Sequence, residues 1–299
     1  MNKTINWKAI FMTYKLNSIF YKRVIPKATT AQFDQLEMQF FEDLAKVNDI
    51  KKQLRGFYDM MESISDNHSF IIPSDLVDID KSNFYSDFDK SKALIQKFKD
   101  VFVIQLPAVF LSEESMYKDY LNYHFLLFED LFFNNKIDSL IIDIRDNQGG
   151  NLWAMVGALN FLFDNQIIGA TKLFDSKTDW RFLADGLYDG EKLEMKVERR
   201  NNIKFNGKIA VLINAQTCSS AEALVVALKS TTNEVKVFGT NSGGYTSGNE
   251  MYNIDCGSKL YVAEGFFQDV HGVVYENGIC PDVVCDDANS LEYAITWIN

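Results

Sequence analysis

The feature that most constrains this chain is a junction that recurs through its middle. An apolar run ends, a short turn of small or polar residues follows, and a helix-like segment begins. Ser139-Leu-Ile-Ile-Asp-Ile-Arg145 runs into Gln148-Gly149-Gly150, and Leu152 to Leu162 then reads as a helix. Lys208-Ile-Ala-Val-Leu-Ile-Asn214 leads after a short turn into a helix from Ser220 to Lys229. Val101 to Leu106, Val235 to Phe238 and Lys259 to Ala263 read as further strands, and Ser112 to Phe133 as a long apolar helix. Unbroken apolar strands alternating with helices predict an α/β fold, a sheet covered by helices.

The first part of the chain has a different texture. Phe33, Leu36, Phe40, Leu44 and Val47 recur at three- and four-residue intervals, as do Leu54, Phe57, Met61 and Ile64. That spacing puts each set on one helical face and predicts two or three helices before about residue 66. An N-terminal helical subdomain over residues 1–69 and an α/β core over 70–299 are therefore expected. The charged stretch 171–206 reads as a flap or hairpin of that core.

At 299 residues the chain can bury a large core without staples, and its 24 Phe and 13 Tyr predict an aromatic one. Its net charge of −11, with no long basic run, argues against nucleic acid or an anionic membrane as partner. No apolar stretch approaches the roughly 20 residues that cross a bilayer. The first residues lack the pattern of a signal peptide, so the expected compartment is the cytosol unless a leader has already been removed. Cys218, Cys256, Cys280 and Cys285 form no metal-binding spacing, so neither a metal nor a cofactor is expected.

GxSxG, HExxH, GxxxxGK[ST] and GxGxxG are all missing, which weakens four familiar enzyme classes at once. Three junctions remain. In the first, Gly149 and Gly150 expose backbone N–H groups at a helix start, suited to an oxyanion or to nothing more than a tight turn. In the second, Thr217-Cys-Ser-Ser-Ala-Glu222 opens a helix of small residues. A hydroxyl or a thiolate there can be a nucleophile, and a serine there can equally be a helix cap. The third is Asp66-Asn-His68-Ser69, whose imidazole sits among polar residues. His124 lies in an apolar helix and reads as core, and His271, in a glycine-flanked loop, as exposed.

Taken in order, these junctions resemble the tail-specific, or C-terminal processing, serine peptidase family, most closely its tricorn-core-like and retinoid-binding-protein-like branch. Asp143-Ile-Arg-Asp-Asn-Gln-Gly149-Gly150 is similar to the family's Asp-Leu-Arg-x-Asn-x-Gly-Gly box. Thr217 to Glu222 is similar to its nucleophile box, and counting back three from Glu222 puts the nucleophile on Ser219. Gly239-Thr-Asn-Ser-Gly-Gly-Tyr245 resembles its glycine-rich turn, Glu276-Asn-Gly-Ile-Cys-Pro-Asp282 its closing signature, and Asp66 to Ser69 the box of its histidine-using branch.

The resemblance implies a Clp protease/crotonase-like spiral core and metal-free hydrolysis of peptides or unfolded polypeptide through an acyl-enzyme. Tyr245 stands where the Ser/Lys branch carries its lysine, so the resemblance assigns the base to His68. Glu276, through Ser69, is the expected orienting pair. Gly149 or Gly150, with Ser220, is the expected oxyanion hole. A non-catalytic ligand-binding relative and a crotonase-like acyl-CoA enzyme are the alternatives, and no PDZ domain is expected between Phe70 and Asp100.

Overall fold

The computed structural model describes residues 7–24, 30–47, 49–72, 87–111, 113–164, 166–198, 203, 205–254 and 259–299. Cys256 and most of the segment from Pro73 to Lys92 lie outside them, as do the side chains of Phe33 and Leu36. The chain divides into two compact units. The first comprises Met1–Asp80, Lys172–Lys177 and Ser247–Phe266, and the second takes the rest. The first unit therefore extends past the helical subdomain expected at 1–69 by drawing strands from the C-terminal third.

Among the described residues, four α-helices open the first unit: Trp7–Asn17, Ile19–Val24, Thr30–Ala45 and Ile50–Ser63. Their shared face is aromatic, with Trp7, Phe11, Tyr14, Tyr21, Phe40 and Phe57 in one cluster with Ile71, Leu260 and Val262. Phe11 stacks on Phe40 at 5.4 Å between ring centroids, and Tyr14 meets Phe57 edge-on at 5.7 Å. Such offset and edge contacts suit the ring quadrupole. The strand Phe70–Ile72 pairs antiparallel with Lys259–Gln268, opposite Leu260 and its neighbours. Ser247–Asn253 pairs with that same strand, whose register shifts beside Gly248/Asn249. The pairing skips Glu264, a bulge that re-aims the backbone at Ala263.

The second unit holds the α/β core. Its six-stranded sheet runs Val283–Val284, Val235–Gly239, Lys208–Ile213, Ser139–Asp143, Val101–Gln105, Leu94–Phe98. All neighbours are parallel except the last pair, which is antiparallel. Side chains alternate between faces along each strand. Leu140 and Ile142 enter the large core with Met155, Leu224 and Val225, whereas Ile141, Ala210 and Leu212 pack with Ala294 and Ile298. Both faces are thus covered, which is why these strands read as unbroken apolar runs. The stretch 171–206 contains an antiparallel meander, Lys177–Leu183, Gly186–Asp189 and Lys192–Lys196, with Trp180, Phe182 and Leu187 in the core. The long helix spans Glu114–Asn134, two residues later than its expected start at Ser112, itself outside the described residues. Among the described residues no helix is long and apolar enough to cross a membrane.

Candidate active site

Within the second unit, the parallel strand Lys208–Ile213 feeds a tight turn and then the helix Ser220–Leu228. That helix is buried on every side from Ala221 to Leu228, which its small and apolar residues permit. Ser219 is its N-cap, at φ 55° and ψ −122°. A non-glycine residue held at positive φ costs about 1–3 kcal/mol, and such strain needs strong surroundings. Glu222 supplies them. Fully buried, its carboxylate accepts the Ser219 N–H at 2.7 Å, the Gly244 N–H at 2.9 Å, the Ser242 hydroxyl and the Tyr245 N–H. Burial raises its pKa, and those hydrogen bonds pull the other way. Glu222 thus holds the elbow in place.

The Asp143 box explains itself in the same way. Asp143 accepts a forked pair of hydrogen bonds from Arg145, which also reaches the carbonyl of Asp287 and the hydroxyl of Ser290. Asp146 and Asn214 bond each other reciprocally, tying this turn to the one before Ser219. Asn147 caps the loop: its Nδ2 donates to Leu106 O and its Oδ1 accepts the Gly149 N–H at 2.8 Å. Cys218 N–H donates to Asn147 O at 2.9 Å. Gly149, at φ 100°, lies so close to the elbow that a Cβ there would sit 2.8 Å from Cys218 O and 2.9 Å from Ser219 Cβ and Ser220 N. Gly150, at φ 113°, faces the carbonyl of Val109 with no room for a side chain, and its own carbonyl accepts the Ser220 hydroxyl at 2.8 Å.

These bonds separate the expected oxyanion donors. The Gly149 N–H is committed to Asn147. Among the described residues neither the Gly150 nor the Ser220 N–H donates a hydrogen bond. Cys218, beside Ser219, has its thiol pushed up to about 11 by burial and by the Glu222 carboxylate. A thiol in that range is a poor nucleophile at neutral pH.

The first unit carries His68. Its Nδ1 lies 2.7 Å from the Ser247 hydroxyl, its N–H donates to Asp66 Oδ1, and its carbonyl accepts the Asn249 side-chain amide. Burial pulls its pKa down to about 4, against the opposing charge of Asp66. Ser69, the expected orienting hydroxyl, is turned elsewhere: it donates to Asp66 at 2.6 Å and accepts the Ala263 N–H at 2.9 Å. The hydroxyl on Nδ1 belongs instead to Ser247, which only the fold brings near. Glu276 follows the short strand Val274–Tyr275 in the second unit, and its side chain is exposed.

The other histidines read as expected. His124 is fully buried, bonded to Ala93 N and Tyr120 O, and depressed to about 4 by burial. His271 is exposed. No cluster of three or more His, Cys, Asp or Glu is placed to hold a metal among the described residues.

The family profile of peptidase family S41 matches residues 115–285, more than half of the chain. The chain belongs to peptidase family S41. It is 31% identical over 232 residues to the nisin-resistance protein of Lactococcus lactis subsp. lactis, covering 77% of this chain and 69% of that protein. In fold it is similar to a lipoprotein from Streptococcus agalactiae, with a TM-score of 0.76, 20% identity and 97% and 94% of the two chains covered. The α/β core is that of the family, and the S41 family is one of serine peptidases.

Proposed function

We propose that this S41 protein hydrolyses peptide bonds in oligopeptides or unfolded polypeptide, with Ser219 as nucleophile and His68 as general base. The observation that carries the reading is the strained Ser219 elbow beside two uncommitted backbone N–H groups. Ser219 Oγ attacks the scissile carbonyl as its proton passes to His68 Nε2, forming a tetrahedral oxyanion. The N–H groups of Gly150 and Ser220 receive that oxyanion. Each such donor is worth roughly 3 kcal/mol of transition-state stabilisation. His68 then gives the proton to the leaving amine, and water hydrolyses the acyl-enzyme by the same route.

Two features support these roles. The 2.7 Å contact of His68 Nδ1 with the Ser247 hydroxyl suits the tautomer the scheme requires, in which Nδ1–H donates to Ser247 and Nε2 takes the proton. Burial keeps the ring neutral at neutral pH, the form a base requires. The test is hydrolysis of an unstructured peptide by purified wild type, Ser219→Ala and His68→Ala. Both substitutions are expected to lower kcat by at least about a thousandfold with the fold retained. Full activity in either variant would remove that residue from the mechanism.

A further inference from the structure

The loop that presents His68 is built around a carboxylate that the scheme above leaves unused. Asp66 is 1% exposed, and its two oxygens receive five hydrogen bonds. Oδ1 accepts the N–H of His68 at 3.1 Å and of Ser69 at 2.9 Å. Oδ2 accepts the hydroxyls of Tyr14 at 2.6 Å, Ser69 at 2.6 Å and Ser18 at 3.3 Å. All five donors are neutral, and among the described residues no cation pairs with Asp66. A carboxylate buried among neutral donors has its lone pairs satisfied, and its field acts on whatever titrates nearby. His68 is two residues away.

The bonds also show what holds Asp66. Tyr14 lies in the helix Trp7–Asn17, is fully buried, and packs edge-on against Phe57 and Tyr21. Burial and the neighbouring charge push its phenol above the ordinary range, so it remains a donor. Ser18 begins the next helical stretch and reaches the same oxygen. The N-terminal helices are therefore wired to the histidine loop through one carboxylate. Ser69 extends the network to the Ala263 N–H at the bulge in the strand Lys259–Gln268.

We infer that Asp66, anchored by Tyr14, is the anion that positions His68 and stabilises the imidazolium formed when it accepts the Ser219 proton. This is the role the resemblance gave to Glu276, and the inference rests on the reading of His68 as base. Asp66 acts through His68 and touches no reacting atom, so it is a positioning residue. Its contribution belongs in kcat, because the charge on the ring exists only after proton transfer.

Asp66→Asn tests this with little change of shape. The asparagine oxygen can keep the two backbone N–H bonds, while its amide faces hydroxyls able to rotate and accept. Only the charge is lost. With far-UV circular dichroism unchanged, kcat on an unstructured peptide is expected to fall at least tenfold while KM holds within twofold. Tyr14→Phe, which keeps the ring packing, should lower kcat about threefold. The ¹⁵N resonances of the His68 ring should move in both variants.

Wild-type kcat in Asp66→Asn, or a loss confined to KM, would overturn the inference. If Asp66→Asn fails to fold, Tyr14→Phe decides alone, and wild-type kcat with unmoved His68 resonances overturns the inference. The ring resonances also separate this inference from the reading beneath it. If His68→Ala retains full activity, the base assignment has failed, yet the ring shifts still report whether Asp66 sets the imidazole.

Discussion

Around Ser219 the holding groups are mostly backbone. The N–H of Ser219, Gly244 and Tyr245 converges on Glu222, the carbonyl of Asn147 accepts Cys218, and Gly149 lies against the elbow because it has no Cβ. Around His68 the groups are side chains from distant segments: Tyr14 through Asp66, Ser247 from 179 residues away and Asn249 from 181. A site made of backbone is insensitive to most side-chain exchanges and intolerant of added volume. A site made of side chains should respond to the loss of a single polar atom. The two regions therefore predict different kinds of mutational failure.

The largest effect is expected where backbone meets backbone. Gly149→Ala forces an alanine to φ 100° and a Cβ within 2.9 Å of Ser219 Cβ and Ser220 N. The strain costs about 3 kcal/mol, with the elbow displaced as it relaxes. Peptidase kcat/KM should drop at least about a hundredfold, and thermal unfolding should show the lost stability. Normal activity and melting would mean that the elbow is looser than its contacts imply. Ser247→Ala tests the other construction. It removes one hydroxyl and should lower kcat roughly tenfold, the scale of a single hydrogen bond. Ser247→Thr restores the hydroxyl and should recover part of the loss, whereas equal defects in both variants would point to packing instead.

The pH dependence comes next. The bare sequence would place the His68 limb near the ordinary imidazole range of roughly 6–7, raised by an acidic neighbour. Burial outweighs Asp66 here and pulls the ring down to about 4. A base must be neutral, so kcat/KM should rise through about pH 4 and be level by pH ~6. A limb at pH ~6.5 in the wild type would mean that His68 is solvated. Stability carries the same sign. Between the unfolded value of 6.5 and about 4, the unfolded chain binds protons that half-buried His68 and buried His124 do not. The urea midpoint should therefore rise as pH rises from about 4 to 6.5 and be flat above that, and His124→Gln should shrink the slope.

The smallest effects should come from neighbours that lend only packing or backbone. Cys218→Ala should leave kcat within about twofold, because a thiol pushed up to about 11 offers little thiolate. Tyr245→Phe should do the same, since it is the N–H of Tyr245 that bonds Glu222. A large loss in either would shift weight from backbone to side chains around Ser219.

This contrast also explains what could be read before folding. The elbow is legible because its parts lie within short stretches: Asp143 to Gly150 and Asn214 to Glu222 each carry bonds of their own, and their residue types follow largely from those local bonds. The parallel strands are legible because both faces are buried. Ser247 is not. Its strand, Ser-Gly-Asn-Glu-Met-Tyr-Asn, carries no apolar alternation, and its partner imidazole is 179 residues earlier. Ser69, the hydroxyl adjacent in sequence, serves Asp66 instead. Tyr14 reads as one more aromatic of a helical core until its hydroxyl is seen on Asp66.

The most direct test of the central claim, that Ser219 is the nucleophile, is to locate a covalent adduct. The wild-type protein would be treated with a fluorophosphonate at neutral pH, digested, and the modified residue identified by mass spectrometry. The account predicts one adduct, on Ser219, retained in Cys218→Ala and lost in both Ser219→Ala and His68→Ala. An adduct on Cys218 or Ser220, or labelling of Ser219 undiminished without His68, would contradict it.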